Sequence, residues 1–332
     1  MERSAKRVTR LLTACLLAGG LVACGSQADD DGIRELKLSH FMEPTHPHEI
    51  CGVKALNESL EGSGLRVVSY PSAQLGGESA SLEQVFVDSL DMSLNGPSFL
   101  GVYHEDFKFL DAGYLFDGYE DFEEFQSSET LQEILDGYQE RTGMKAFPAW
   151  YYGARHVTAD KEIHHPSDLN GLKLRTPDAP LYRNTLSAMG ASPVPMALSE
   201  VYLALQQGTI DAQENPITTI ATMSLNDVQK YLILTGHMIQ GLHMSISEKT
   251  WNSLTPEEQQ ALTKAIEVGG QAASECVVES EEKFREQLVS TGMEVVDVDI
   301  SEFAEPVRRE FSEGYAFSEL YSEQQDKRAE RS

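Results

Sequence analysis

From residue 35 onward the chain alternates between two hydrophobic periods, and this alternation restricts its fold more than any other feature. "ELKLSHF" (35–41) carries apolar residues at every second position, as a half-buried strand does. "HEICGVKALNESL" (48–60) has helical spacing, and "LRVVSYP" (65–71) reads as a second strand closed by a proline. Strand, helix and strand in that order begin a βαβ unit and place the chain in the α/β class. "ESASLEQVFVDSL" (78–90) and "DMSLN" (91–95) continue the pattern to the Gly96–Pro97 break.

Further along, "EDFEEFQSSETLQEILDGYQERTG" (120–143) predicts a helix, "MKAFPAWYYG" (144–153) an extended segment, and "SDLNGLKLRTP" (167–177) a loop running into a strand. "PLYRNTLSAMG" and "SEVYLALQQG" predict helices ended by glycine, and "TIDAQEN" a strand stopped by Pro216. Thr255, Pro256 and Glu258 have the spacing of an N-cap, first turn and capping box for a long helix through Leu288. A helix of that length suits an element spanning two lobes. "GMEVVDVDI" is the last expected strand, and residues 321–332 are expected as a flexible tail.

With 332 residues, 41% hydrophobic and 24% charged, the chain can build two domains with their own cores. Its formal charge of −27 is spread along the sequence, which argues against nucleic acid or an anionic membrane surface as partner. An acidic protein that binds an anion must assemble a local positive site. At the N-terminus, Arg3, Lys6, Arg7 and Arg10 precede "LLTACLLAGGLVAC", too short an apolar run for a membrane span. "LVAC" (21–24) resembles a bacterial lipobox, so residues 1–23 are expected to be a lipoprotein signal peptide, Cys24 the lipidated residue, and 24–32 a tether. Beyond residue 24 the only cysteines are Cys51 and Cys276, which stand as either a disulfide or two buried thiols.

Enzyme signatures are missing: the chain has no G-x-S-x-G elbow, phosphate loop, dinucleotide fingerprint, H-E-x-x-H or C-x-x-C. His46 and His48 of "HPHE", and His164 with His165, are metal-ligand candidates set against ordinary loop residues, and no metal or cofactor is expected. The chemical weight falls on Arg155 and Arg175, each at the end of an extended segment, where α/β sheets present ligand-binding groups. A guanidinium offers two parallel donors matched to a carboxylate. The alternative for either one is an ion pair with one of the chain's many acidic residues.

Between about residues 36 and 312, four phrases recur in order and at family spacing: "SYPSAQLGGE", "LNGLKLRTPD", "MGASPVPMALSEVYLALQQGTIDAQENP" and "VQKYLILTGH". Together they make the chain similar to the substrate-binding receptors of tripartite ATP-independent periplasmic (TRAP) transporters, the DctP family. The resemblance implies that Arg175 forms the main salt bridge to a substrate carboxylate, with Arg155 supporting it and Asn215 hydrogen-bonding the same group. It further points to His40, Glu78 and Asn95 on the first lobe, to Asp178 beside Arg175, and to Leu198, where the family usually has a ligand-packing Phe. Trp150, with Tyr151 and Tyr152, is a candidate to compensate for the missing ring, or else core.

The implied fold is a two-lobed, type II-like periplasmic-binding-protein architecture with a ligand cleft between the lobes. Lobe 1 is expected over 33–153 plus 241–280 and lobe 2 over 154–240 plus 281–320. The implied protein is a monomeric, non-enzymatic, extracytoplasmic receptor held at the membrane only by its lipid. It would deliver an organic acid to integral membrane permease subunits. A uronate or other sugar acid is favoured over a C4-dicarboxylate, keto acid or ectoine-like solute; a secreted sugar-acid lyase or hydrolase is the enzymatic rival.

Overall fold

A computed structural model describes residues 32–329; residues 1–31, with the expected signal peptide, Cys24 and most of the tether, lie outside the described residues. The described residues form ten strands: β1 (Arg34–Ser39), β2 (Leu65–Tyr70), β3 (Met92–Asn95), β4 (Lys145–Ala146), β5 (Trp150–Ala159), β6 (Lys173–Thr176), β7 (Ser192–Pro195), β8 (Ala212–Pro216), β9 (Tyr231–Ile246) and β10 (Glu294–Val296). They join in the order β2-β1-β3-β9-β5-β8-β6-β7, with β10 and β4 also pairing with β9. The β1–β2 pair is parallel, as the opening βαβ pattern predicts.

The two-lobed form follows from β9. Its last residues, His243–Ile246, pair antiparallel with β3 of the first lobe. Earlier residues, Tyr231–Leu242, pair with β5, which in turn hands the sheet to β8. One 16-residue strand thus belongs to both lobes, and β5 runs beside it. The helix Pro256–Ser290, 35 residues and about 52 Å long, backs the same junction. Thr255 accepts from the Glu258 N–H, and the Glu258 carboxylate accepts from the Thr255 N–H, closing the expected capping box.

That helix is fastened to the first lobe by small residues and by sulfur. A Cβ on Gly270 would sit 2.6 Å from Trp150 Cδ1, and one on Gly52 2.8 Å from its Cζ3, so only glycine lets helix and indole touch. Cys51 and Cys276 form a disulfide at a Cα–Cα distance of 6.4 Å, settling the choice between bridge and free thiols.

Several sequence expectations change. Residues 120–143 form two helices, Tyr119–Phe125 and Glu129–Thr142, because the Ser128 hydroxyl caps the second by accepting from the Leu131 N–H. The helix expected over 78–90 ends at Phe86, before Asp88 at a φ of 60°. Residues 321–329 belong to the helix Ser318–Ala329 instead of a flexible tail. Tyr321 is buried there and donates to the Gly113 carbonyl, while Arg328 donates to the Tyr114 carbonyl and pairs with Asp117. The anchoring partners lie some two hundred residues upstream, where no local pattern reveals them.

Candidate ligand cleft

A cavity of about 380 Å³ lies between the lobes. Phe41, Glu78 and Phe99 form its first-lobe wall; Arg175, Asp178 and Leu198 face them from the second lobe. Glu78 begins the helix Glu78–Phe86, directly after the Gly76–Gly77 turn, and Arg175 sits on β6, one residue before that strand ends. Residues nearly a hundred positions apart are brought together because the helix that starts at Glu78 and the strand that carries Arg175 line the same cavity.

Arg175 is 2% exposed. Its Nε and Nη2 donate to the Met196 carbonyl at 3.0 and 2.7 Å, which fixes the plane of the guanidinium. Nη1 is buried and has no hydrogen-bond partner among the described residues. Because one edge is spent on Met196, the Nη1–Nη2 edge is the one left to grip an anion. Burial pushes the guanidinium down to about 10, with Arg155 adding to the effect and Glu214 opposing it, so Arg175 remains a cation at neutral pH.

Arg155 is placed differently from the expectation. It lies outside the cavity wall, paired with Glu214 through Nε–Oε2 at 2.5 Å and Nη2–Oε1 at 2.8 Å. It also donates to Gln240 Oε1 at 2.7 Å and to Asn215 Oδ1 at 3.2 Å. Burial alone would raise the Glu214 carboxyl, but the Arg155 charge and the His237 hydrogen bond hold it down at about 2. Arg155 is therefore neutralised by a carboxylate from the neighbouring strand. Among the described residues, Arg175 is buried without such a partner. No local sequence signal marks Glu214, although it belongs to the "QENP" phrase, because its pairing depends on the β5–β8 register, in which Val157 opposes it.

The remaining candidates divide in the same way. Glu78, Asp178 and Leu198 reach the cavity with Arg175. Asn215 lies behind it, its amide donating to Gln213 Oε1 at 2.6 Å. Asn95 is buried and donates to the Glu78 carbonyl at 3.1 Å and to Ser81 Oγ at 3.3 Å, holding the first turn of the Glu78 helix from beneath. The ring of His40 meets Glu49 Oε2 at 2.8 Å and Ser69 Oγ at 2.9 Å, also off the wall. Trp150 is core: its indole N–H donates to the Ile266 carbonyl and its ring fills the glycine gap of the long helix. Ring surface in the cavity comes instead from Phe41 and Phe99, which no sequence signal separates from core phenylalanines.

Glu78 is the most perturbed acid on the wall. Its side chain is half-buried, open toward the cleft, and Oε1 accepts from the Gly96 N–H at 3.0 Å. Loss of water around the carboxyl, with some contribution from Asp111, pushes it up to about 7 against the pull of that hydrogen bond and of Arg175. Among the described residues, no group of three His, Cys, Asp or Glu side chains could hold a metal ion, which leaves the histidine motifs without ligand geometry. His164 and His165 pair with Glu162 and Glu302 on the surface.

Residues 45–323 match the model of the DctP family, described as bacterial extracellular solute-binding protein, family 7. The chain belongs to this family. It is 32% identical over 269 residues to the sialic acid-binding periplasmic protein SiaP of Vibrio cholerae, spanning 79% of this chain and 84% of that one. To the 2,3-diketo-L-gulonate-binding periplasmic protein YiaO of Escherichia coli it is 29% identical over 309 residues, 89% and 90% of the two chains. The solved TRAP solute-binding protein of Roseobacter denitrificans with bound L-galactonate superposes with a TM-score of 0.83 at 29% identity, covering 87% of this chain and 98% of that one. The DctP-family chain is thus a TRAP-type periplasmic solute-binding protein with the two-lobed fold, and its family consists of receptors, not enzymes.

Proposed function

We propose that this protein captures an organic acid in the interlobe cleft and presents it to TRAP permease subunits in the membrane, with Arg175 as the anion-binding group. The observation that carries this reading is the unpartnered Nη1 of a buried, charged Arg175 on the wall of a cavity of about 380 Å³. A buried cation lacking its counter-charge is costly, and a ligand carboxylate seated on the Nη1–Nη2 edge relieves that cost. The cavity lies within the size range of small-molecule sites. Asp178, Ser199 and Glu200 offer acceptors for hydroxyl groups, and Phe41, Phe99 and Leu198 offer apolar faces for a carbon skeleton. A sugar acid fits this mixture best, in keeping with the sialate, diketogulonate and galactonate named for the three relatives. A lipid anchor at Cys24 and a monomeric state complete the proposal.

Thermal-shift screening against sugar acids, C4-dicarboxylates, keto acids and ectoine-like solutes tests it. An acid at about 100 times its Kd adds about 2.7 kcal/mol and raises the melting temperature. Arg175→Ala is expected to weaken that acid at least about 100-fold, since a broken buried pair costs about 3–5 kcal/mol, with the unliganded melting temperature unlowered. Undiminished binding by Arg175→Ala, or an absence of stabilisation by every acid, would overturn the reading.

A further inference from the structure

Glu78 and Arg175 face one another across the same cavity, and an anion held by Arg175 must come close to the Glu78 carboxyl. Two like charges in a site already short of water cannot both stay ionised without a large cost. The groups around Glu78 offer little relief. Asp111, at the end of the turn Glu105–Asp111, adds negative charge; Arg155 on β5 is bound to Glu214; Tyr152 on β5 and Tyr182 in the helix Pro180–Ala188 are neutral; Asp178 and Glu200 occupy the cleft wall. Arg175 is the remaining cation facing Glu78, and the ligand claims it.

Asp111 is the other buried acid that could accept a proton, but both its oxygens are already acceptors. Oδ2 takes the Ser98 N–H at 2.7 Å and Oδ1 the Tyr182 hydroxyl at 3.3 Å. On Glu78, Oε1 takes the Gly96 N–H, while Oε2 has no hydrogen-bond partner among the described residues. A proton therefore fits on Oε2, on the open side of the carboxyl.

Resting on the carboxylate reading of Arg175, we infer that Glu78 enters the complex as a neutral carboxyl that donates a hydrogen bond from Oε2 to an oxygen of the bound acid, so that capture takes up one proton from solvent. Glu78 then determines specificity: it favours acids that present an acceptor oxygen beyond the carboxylate, such as hydroxy and oxo acids. In the free protein burial shifts this carboxyl up to about 7, which makes the uptake accessible near neutrality. Below that value the proton is already in place; above it each capture must recruit one, and affinity falls by up to tenfold per pH unit.

Isothermal titration calorimetry with L-galactonate, and with whichever screened acid stabilises most, is to be run in buffers of different ionisation enthalpy between about pH 6 and about pH 8.5. Expected are a heat that varies with the buffer by close to one proton per ligand above neutrality, and weakening affinity toward the alkaline end. Glu78→Gln keeps a donor but cannot titrate; whatever its affinity, it should lose both the buffer dependence and the pH slope. Binding that is independent of buffer, or a pH slope that survives in Glu78→Gln, overturns proton uptake while leaving Arg175 as the anion site. No binding of any acid at any pH overturns both readings together.

Discussion

Glu214→Gln isolates the electrostatics beneath the cleft. Glu214 is 0% exposed and meets Arg155 through two of its oxygen contacts and His237 through a third at 3.1 Å. Replacing the carboxylate by an amide of the same shape leaves Arg155 buried without its counter-charge, a loss of about 3–5 kcal/mol. The pH linkage gives a similar size independently. The carboxyl moves from an ordinary 4.5 down to about 2 in the folded protein. At 1.36 kcal/mol per unit this corresponds to about 3 kcal/mol. Because the folded value is the lower one, the stabilisation is complete above about pH 4.5 and drains away as pH falls toward about 2. Urea unfolding of Glu214→Gln at neutral pH should therefore show a drop of about 3 kcal/mol, and the gap to the wild type should close on acidification through that window. A drop below about 1 kcal/mol at neutral pH, or a gap that widens in acid, would refute the assignment of Glu214 as the charge partner of Arg155.

Other outcomes follow from the contact between the long helix and the first lobe. The disulfide closes a loop of 225 residues, for which chain entropy gives a stabilisation of about 5 kcal/mol at 25 °C. Reduction, or Cys51→Ser with Cys276→Ser, should lower the melting temperature by several degrees, and an unchanged value would mean that the bridge is not formed in solution. Gly270→Ala should destabilise by about 1–3 kcal/mol in spite of alanine's better helix propensity, because the added Cβ meets Trp150 at 2.6 Å; a stabilised variant in thermal unfolding would show that helix and indole can part.

Much of the frame was legible because its signals are local. The β1–β2 unit follows from periodicities of two and 3.6, and the Thr255–Glu258 cap from four adjacent residues. Arg175 stands out as a candidate through its position at a strand end, which places a long side chain at the sheet's edge whatever the partners are, together with the family resemblance. Family spacing added Glu78, Asp178 and Leu198, all of which line the cavity. Arg155 and Arg175 looked equivalent in sequence, each a guanidinium ending an extended segment. What separates them is register: β8 lays Glu214 against β5 and within reach of Arg155, whereas Arg175 on β6 finds a carbonyl oxygen and no carboxylate. In the same way Trp150 and Phe41 are both large aromatic residues, and packing against glycines 52, 269 and 270 made one core while the other reached the cleft.

By itself, then, the amino-acid sequence determined the class of fold, the capped long helix and the positions at which strands present polar groups, since each depends on residues within a turn or two of one another. Only the tertiary structure decided which arginine is left without a counter-charge, which acid faces it, and that the last helix packs onto Gly113 and Tyr114. Those outcomes are sums over neighbours brought from distant parts of the chain, and burial, which multiplies every charge interaction, exists only once the strands have been laid side by side.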